Sequence, residues 1–350
     1  MVYGATGFSG RAIAARLRDA GHEVVLAGRN PARLREMAAI LDTPYRVFGL
    51  GEAGPIEHGL ADIRVVVHAA GPFAETAGPM IGACIRTGTH YLDLAGEWPV
   101  FALAQQRGPE AADTGTMLMP GVGFSIVVSD CLLAHAAQQV RSASLLRVAI
   151  SAPGIMSRGT FRSALGLTGP TVIVRREGVV RHLPVGRLQR RFNFGAGEKT
   201  SVAVSWPDVI TGQHTTGVAS IEAYAEADLL SRLSYRAGAL AAGAFGSEAV
   251  RRVLQPLSAA WPEQPSVEQR RTAGHSVVVE AIDPWRRVTS FGLRTLDGYS
   301  VTTITAGAIV ERVLDGDHVP GFQTPAGRYG ADFIRRLGCA WEFDVGPSGV

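Results

Sequence analysis

Three glycines, Gly4, Gly7 and Gly10, stand between an apolar start, Met1 to Tyr3, and a helical run from Arg11 to Arg18. The chemistry this pattern suits is anion binding. Gly4 permits a tight turn, Gly7 lets the backbone approach a pyrophosphate, and Gly10 lets the next helix pack closely on the strand. Thr6 and Phe8 complete the turn, and the first amides of the helix receive the phosphates. The spacing is G-x-x-G-x-x-G rather than the commoner G-x-G-x-x-G. In a chain with 42 glycines an ordinary turn would read the same way.

The next strand decides between them. His22 to Gly28 follows a helix ended by Gly21, and it closes on Arg29-Asn30. An acidic residue at this position suits the ribose hydroxyls of NAD, whereas arginine suits the 2′-phosphate of NADP. Arg29, with Arg33 one turn into the following helix, offers guanidinium groups that grip phosphate through paired hydrogen bonds. A solvated surface arginine is the alternative. Taken together, turn, helix and strand-end arginine predict an NADP-binding βαβ unit, with Asn30 beside the arginines.

Proton chemistry has fewer candidates. Tyr91 and Asp93 alternate on one face of a strand, and Glu97 follows the turn at Gly96. Each could protonate an atom opposite hydride attack. Each could equally cap the next helix or bind loop amides. His90 and His214 read as hydrogen-bonding histidines, and Cys84, mid-helix, as core. Lys199 is the sole lysine, beside Glu198, so covalent lysine catalysis is disfavoured and no Y-x-x-x-K dyad exists.

These groups need a scaffold, and the chain alternates as a doubly wound fold should. Helices are expected over Pro31–Leu41, Ile56–Ala61, Pro79–Thr87 and Phe101–Thr114. Strands are expected over Tyr45–Phe48, Arg64–Ala70, Gly88–Leu94 and Thr116–Met119. Gly71-Pro72-Phe73 is expected as a rigid loop at the carboxyl edge of the sheet, with Ala70, Gly71 and Pro72 against the cofactor. Only three residues precede Gly4, so either the first strand is unusually short or the numbering begins at an internal methionine. From Phe124 the pattern changes. A helix over Ile126–Val140 leads to strands over Ser144–Ala152, Ser201–Trp206 and Val218–Tyr224. Hairpins are expected at Glu177-Gly178 and around Asp283 to Arg287. A helix is expected over Ser157–Leu167, and helices over Asp228–Ala260 that are a surface pair, a dimer contact or a lid. The fold class is α/β: a Rossmann-type parallel sheet, residues 1–123 completed by 297–350, with a mostly antiparallel α+β domain, 124–296, inserted. That second sheet would be covered by helices, by a second copy of the chain, or both, so a homodimer is among the expected partners.

Composition narrows the class. At 350 residues, 46% hydrophobic and 19% charged, this is a globular chain long enough for two cores. A net charge of +3 without basic–aromatic runs argues against a nucleic-acid partner. Three scattered cysteines carry no metal spacing and suit a reducing cytoplasm. No apolar run reaches membrane-spanning length, and no signal peptide precedes the glycine turn.

Longer motifs carry a resemblance. Gly4-Ala-Thr-Gly-Phe-Ser-Gly10, Ala69-Ala-Gly-Pro-Phe73, Ala83 through His90-Tyr-Leu-Asp-Leu-Ala-Gly-Glu97 and Pro120-Gly-Val-Gly-Phe124 resemble the saccharopine dehydrogenase-like NADP-binding family. Ser157-Arg-Gly-Thr160, Thr215-Thr-Gly217 and Pro320 to Ala326 are similar to its shorter bacterial members. The resemblance implies an NADP-dependent oxidoreductase reducing an activated C=C or C=N bond of a small or carrier-bound substrate. It also implies a C-terminal segment that folds back on the first domain. One position departs: where many members carry aspartate after Gly-Phe, this chain has Ser125, and valine at Val128 replaces proline, while Asp130 remains. Ser125 thereby joins Tyr91, Asp93 and Glu97 as a catalytic candidate. The same departure keeps open a cofactor-binding sensor, or an assembly partner active only when docked to a carrier.

Overall fold

The computed structural model describes residues 1–152, 157, 158, 169–245, 248, 256 and 274–346. They form two units: Met1–Val127 with Gly298–Arg328, and the described residues of Val128–Asp297 with those after Arg328. In chain order the first stretch holds β1 (Val2–Tyr3), α1 (Phe8–Asp19), β2 (Leu26–Gly28), α2 (Pro31–Leu41), β3 (Tyr45–Val47) and α3 (Ala53–Leu60). It continues with β4 (Val65–His68), α4 (Phe73–Thr87), β5 (His90–Asp93), α5 (Trp98–Gln106), α6 (Gly108–Asp113), β6 (Met117–Met119) and α7 (Phe124–Gln139). Then come β7 (Leu145–Ser151), β8 (Thr171–Arg176), β9 (Val179–Pro184), β10 (Gln189–Asn193), β11 (Glu198–Ala203) and α8 (Asp208–Thr216). β12 (Ile221–Glu226), α9 (Leu229–Phe245), β13 (His275–Ile282) and β14 (Val288–Thr295) follow. The chain closes with α10 (Gly298–Leu314), β15 (Gly321–Phe322), α11 (Pro325–Tyr329), α12 (Phe333–Arg336) and β16 (Ala340–Phe343).

The first sheet runs β3-β2-β1-β4-β5-β6-β15 and is parallel throughout. This is the doubly wound order with one strand added beyond β6. β1 is indeed only two residues long, yet it holds the centre, pairing Tyr3 with Ala27 and His68. Central strands are buried on both faces, as the apolar run Val65 to Val67 requires. Asn30 caps α2 through the Arg33 amide at 3.0 Å, and Pro31 opens that helix. Gly307 lets α10 lie against α1: a Cβ there would collide with the Arg16 side chain.

The second sheet runs β10-β11-β12-β7-β13-β14-β16, with the β8–β9 hairpin attached through β12. Every pairing is antiparallel except β12 with β7. Glu177 and Gly178 adopt φ of 50° and 80°, the left-handed pair that a two-residue hairpin needs. Tyr224, Phe192, Phe194, Ala149 and Val278 pack one face of this sheet.

Several expectations shift. α4 starts at Phe73, not Pro79, and carries Pro79 inside it. The expected helix over Phe101–Thr114 is two, broken at Arg107 before Gly108-Pro109. The strands near 201 and 218 lie three residues away from expectation, and β10 and α8 were not foreseen. The C-terminal strand β16 pairs with β14, so the described residues beyond Arg328 belong with the second unit, not with the first as the resemblance implies. The helix expected over Ser157–Leu167 and the end of that over Asp228–Ala260 lie outside the described residues. Among the described residues no helix is long and apolar enough to cross a membrane.

Candidate functional site

The glycine turn is built as anion binding requires. Gly4 has φ +84°, and a Cβ there would lie 2.8 Å from the Ala69 carbonyl carbon and 2.9 Å from Ala70 Cβ. Only glycine therefore lets the turn after β1 press on the end of β4. A Cβ on Gly10 would run into the Gly4 carbonyl oxygen, so glycine is needed to seat α1 on the turn. Gly7 differs. It is exposed, extended at φ −80° and ψ 166°, and a Cβ there meets only the Gly4 oxygen, at 3.2 Å. Gly7 caps α1 without a side-chain hydrogen bond, and the first turn carries no acidic residue. That terminus is electropositive and open to an anion. At the end of β2, Arg29, Asn30 and Arg33 are exposed, and neither guanidinium makes a hydrogen bond or ion pair among the described residues.

The second helix that could receive an anion is already occupied. Glu97 is buried, and its carboxylate accepts from the Phe73 amide at 3.0 Å and the Ala74 amide at 2.7 Å. This charge on the first turn of α4 starts that helix six residues before the sequence suggests. Asp93 is fully buried too. Its Oδ1 accepts from the Ala95 and Gly121 amides, both at 2.8 Å, and Oδ2 accepts from the Tyr91 hydroxyl at 2.6 Å. Val122 donates its amide to the Asp93 carbonyl at 2.8 Å, so one residue ties the loop after β5 to the loop after β6. Burial pushes the Asp93 carboxyl up to about 6, against the downward pull of those hydrogen bonds. Burial, then the Asp93 charge, holds the Tyr91 hydroxyl well above its usual range.

Tyr91, Asp93 and Glu97 are thus brought together as sequence implied, but as loop and helix anchors with their hydrogen bonds taken up. None projects at an open mouth. Ser125 is half-buried beside Gly96, whose Cβ position lies 3.6 Å from the Ser125 hydroxyl.

Five further side chains, His68, Thr76, Thr302, Thr305 and Tyr299, make contacts that the sequence reading does not single out. His68, fully buried, meets the Thr76 hydroxyl at 2.9 Å through Nε2, and that hydroxyl donates to the Ala70 or Pro72 carbonyl at 2.8 and 3.0 Å. The Thr76 oxygen therefore accepts from Nε2–H, and the imidazole is neutral, its pKa pushed down to about 3 by burial. This chain fixes the Ala70-Gly71-Pro72 loop. From α10, Thr302 accepts the Phe124 amide at 3.0 Å and Thr305 donates to the Val122 carbonyl at 2.8 Å. Tyr299 meets the Phe8 ring edge-on at 5.2 Å. For Thr302, Thr305 and Tyr299 no local signal could reveal contacts across such sequence distances.

The second unit holds its own polar cluster. Asp130 is buried and accepts from the Thr215 hydroxyl at 2.6 Å. Asp208 is buried, and neither carboxylate oxygen makes a hydrogen bond of good geometry among the described residues, although the Ser129 hydroxyl lies close by. Burial raises its pKa to about 7; the nearby Ser129 hydroxyl pulls it down and the Asp130 charge pushes it up. Elsewhere, His90 accepts the Met117 amide, Cys84 is core, and Lys199 pairs with Glu226 at 3.7 Å. Among the described residues no cluster of three metal-ligating side chains occurs.

Residues 1–119 match the model of the saccharopine dehydrogenase NADP binding domain, so the cofactor of this unit is NADP. A trans-acting enoyl reductase of Mycobacterium ulcerans is 33% identical over 143 residues, 39% of this chain and 34% of that protein. One from Mycobacterium leprae is 35% identical over 138 residues, 37% of this chain and 33% of that protein. The chain thus spans about a third of the length of these relatives. Among solved structures, saccharopine dehydrogenase (L-Glu forming) from Saccharomyces cerevisiae aligns with TM-score 0.60 at 10% identity, over 98% of this chain and 99% of that one. Homospermidine synthase from Legionella pneumophila aligns with TM-score 0.65 at 9% identity, over 98% and 91%. At such identities the likeness is one of fold.

Proposed function

We propose, from a first unit that belongs with the saccharopine dehydrogenase NADP binding domains, that the chain is an NADPH-dependent reductase. Its substrate is an activated double bond, the C=C of an enoyl thioester or the C=N of an imine, on a small or carrier-bound molecule. The observation that carries the cofactor half is the pairing of an uncapped, acid-free α1 terminus with the unpaired Arg29 and Arg33. The names of the mycobacterial relatives favour the C=C.

NADPH, when bound, supplies the hydride. Gly4, Thr6, Gly7, Phe8 and Gly10 cradle its pyrophosphate, Arg29, Asn30 and Arg33 take the 2′-phosphate, and Ala70, Gly71 and Pro72 wall the site. Asp93 and Glu97 are positioning residues, holding the loops after β5 and β6 and the start of α4; Tyr91 acts through Asp93. Because those three are buried and saturated with hydrogen bonds, the proton comes from water or from Ser125. The same burial supports a second reading, an NADPH-binding sensor or assembly partner of weak turnover.

NADPH oxidation tests the proposal, comparing enoyl-CoA and enoyl-carrier thioesters with oxo-acid plus amine mixtures. Turnover of an enoyl thioester is the expected result. Turnover of only the amine mixtures selects the imine. NADPH binding without turnover of either class overturns the reductase in favour of the sensor.

A further inference from the structure

The C-terminal return of the first unit brings one more side chain to the cofactor's path. α1 and α10 run parallel, because Phe8 meets Tyr299 near the start of each helix and Arg16 lies against Gly307 further along both. The first turn of α10 is thus level with the open terminus of α1. The ring of Tyr299 stands edge-on to that of Phe8, with centroids 5.2 Å apart and planes at 77°. Both side chains are half-buried. One helical turn later, Thr302 accepts the Phe124 amide at 3.0 Å, and a Cβ on Gly123 would lie 3.0 Å from its hydroxyl. Asp93 holds the same loop from its other end, accepting the Gly121 amide at 2.8 Å. All of these residues belong to the first unit.

β1 and β6 are three places apart in the sheet, about 14 Å. The turn after one and the loop after the other nevertheless converge on one turn of α10. This bears on which half of the dinucleotide passes there. With the 2′-phosphate at Arg29, on the end of β2, the adenosine lies to the β2 side of the glycine turn. The pyrophosphate takes the α1 terminus, and the nicotinamide half continues over β4 towards β6. Phe8, the first residue of α1, flanks that passage, and Tyr299 backs it. A lone ring at a helix terminus turns through its rotamers, whereas one packed edge-on against a second ring is held. A wall already fixed needs less ordering when the ligand arrives. We infer that Tyr299 is a positioning residue for the nicotinamide half of NADPH, acting through Phe8, an inference that deepens the cofactor reading and rests on the pyrophosphate lying at Gly7. The contact is ring against ring, so phenylalanine serves at this position as well as tyrosine.

Two ligands separate the halves of the cofactor: NADPH, and adenosine 2′,5′-bisphosphate, which keeps the 2′-phosphate and one 5′-phosphate but has no nicotinamide. In calorimetric titrations of the full chain, Tyr299→Ala should bind NADPH about fivefold more weakly and the bisphosphate nearly as wild type does. Tyr299→Phe should match wild type for both. At saturation, NADPH on Tyr299→Ala should show lower fluorescence anisotropy than on wild type, because the dihydronicotinamide ring is held less firmly. Phe8→Ala combined with Tyr299→Ala should bind NADPH no more weakly than Phe8→Ala alone. Thermal melts check that each variant folds. Equal weakening of both ligands makes Tyr299 a support of the turn and overturns the inference. Wild-type NADPH binding by Tyr299→Ala, or losses that simply add in the double variant, overturns it too. Gly7→Val tells a failure of the placement from a failure of the inference. If it binds both ligands as wild type does, the pyrophosphate lies elsewhere and the inference falls with that reading. If it weakens both while Tyr299→Ala weakens neither, only the role of Tyr299 fails. No substrate enters the titrations, so they decide the matter whichever double bond the chain reduces.

Discussion

At the scale of single residues, cofactor choice rests on Arg29, whereas pH response is shared by buried groups of both units. Arg29→Asp removes a charge-assisted phosphate contact and adds repulsion. It should cost about 2–4 kcal/mol of NADPH binding and leave NADH binding nearly untouched. Fluorescence titration with both cofactors measures this; equal NADPH affinity would assign the 2′-phosphate elsewhere. Asp208 is one source of that response. Its folded-state pKa, about 7, lies above the unfolded value near 3.8. The folded state therefore holds a proton that the unfolded chain releases. The resulting stability is present below pH 4 and is lost as pH rises through 7, with an upper bound of about 4 kcal/mol. Buried His68, at about 3, and half-buried His90, at about 4, contribute stability of the opposite slope, lost as pH falls below 6.5. The measurement is therefore a difference: the wild-type urea midpoint minus that of Asp208→Asn should fall from pH 4 to 8. Asp93, raised to about 6, adds a slope of the same sign that survives in this variant.

At the scale of elements, the three glycines of the first turn separate into fold and ligand roles. Gly10→Ala drives a methyl into the Gly4 carbonyl, so α1 must lift from the turn, and both melting temperature and NADPH affinity should fall. Gly7→Val meets only one backbone oxygen at 3.2 Å, with backbone angles open to any residue. It should melt within a few degrees of wild type yet bind NADPH at least tenfold more weakly, because the side chain fills the phosphate's place. A variant that binds normally would move the pyrophosphate away from Gly7. This turn was legible in sequence because its logic is local: spacing, a helix behind and an arginine after the next strand. The start of α4 was not. Pro79 reads as a helix opening, and the carboxylate that begins the helix at Phe73 is Glu97, two elements later. Sequence offers Glu97 as a proton donor, a cap of the next helix or a partner of loop amides, whereas its carboxylate sits on the first amides of the preceding helix, α4. Thr302 and Thr305 are silent in sequence for the same reason: their partners, the Phe124 amide and the Val122 carbonyl, are set by tertiary contact.

At the scale of the whole molecule, ligand binding should divide the chain along its two units. NADPH at a hundred times its Kd stabilises the state it binds by about 2.7 kcal/mol. Hydrogen exchange should therefore slow in Met1–Val127 more than in the second sheet. Uniform protection across both units would mean that they open together. The plugged terminus of α4 has a further consequence. Of the helices that follow β1 and β4, one offers its amides outward and the other has them already filled by the chain's own Glu97 carboxylate. The protein thus supplies a built-in counterfeit of its ligand's charge at the wrong address, and a dinucleotide arriving from solution finds one berth, not two. Glu97→Ala vacates the other. That variant should lose stability, gain more from millimolar sulfate than the wild type gains through its open α1 terminus, and bind NADPH with a second, weaker phase, the signature of a molecule that has forgotten which end of the cofactor goes where.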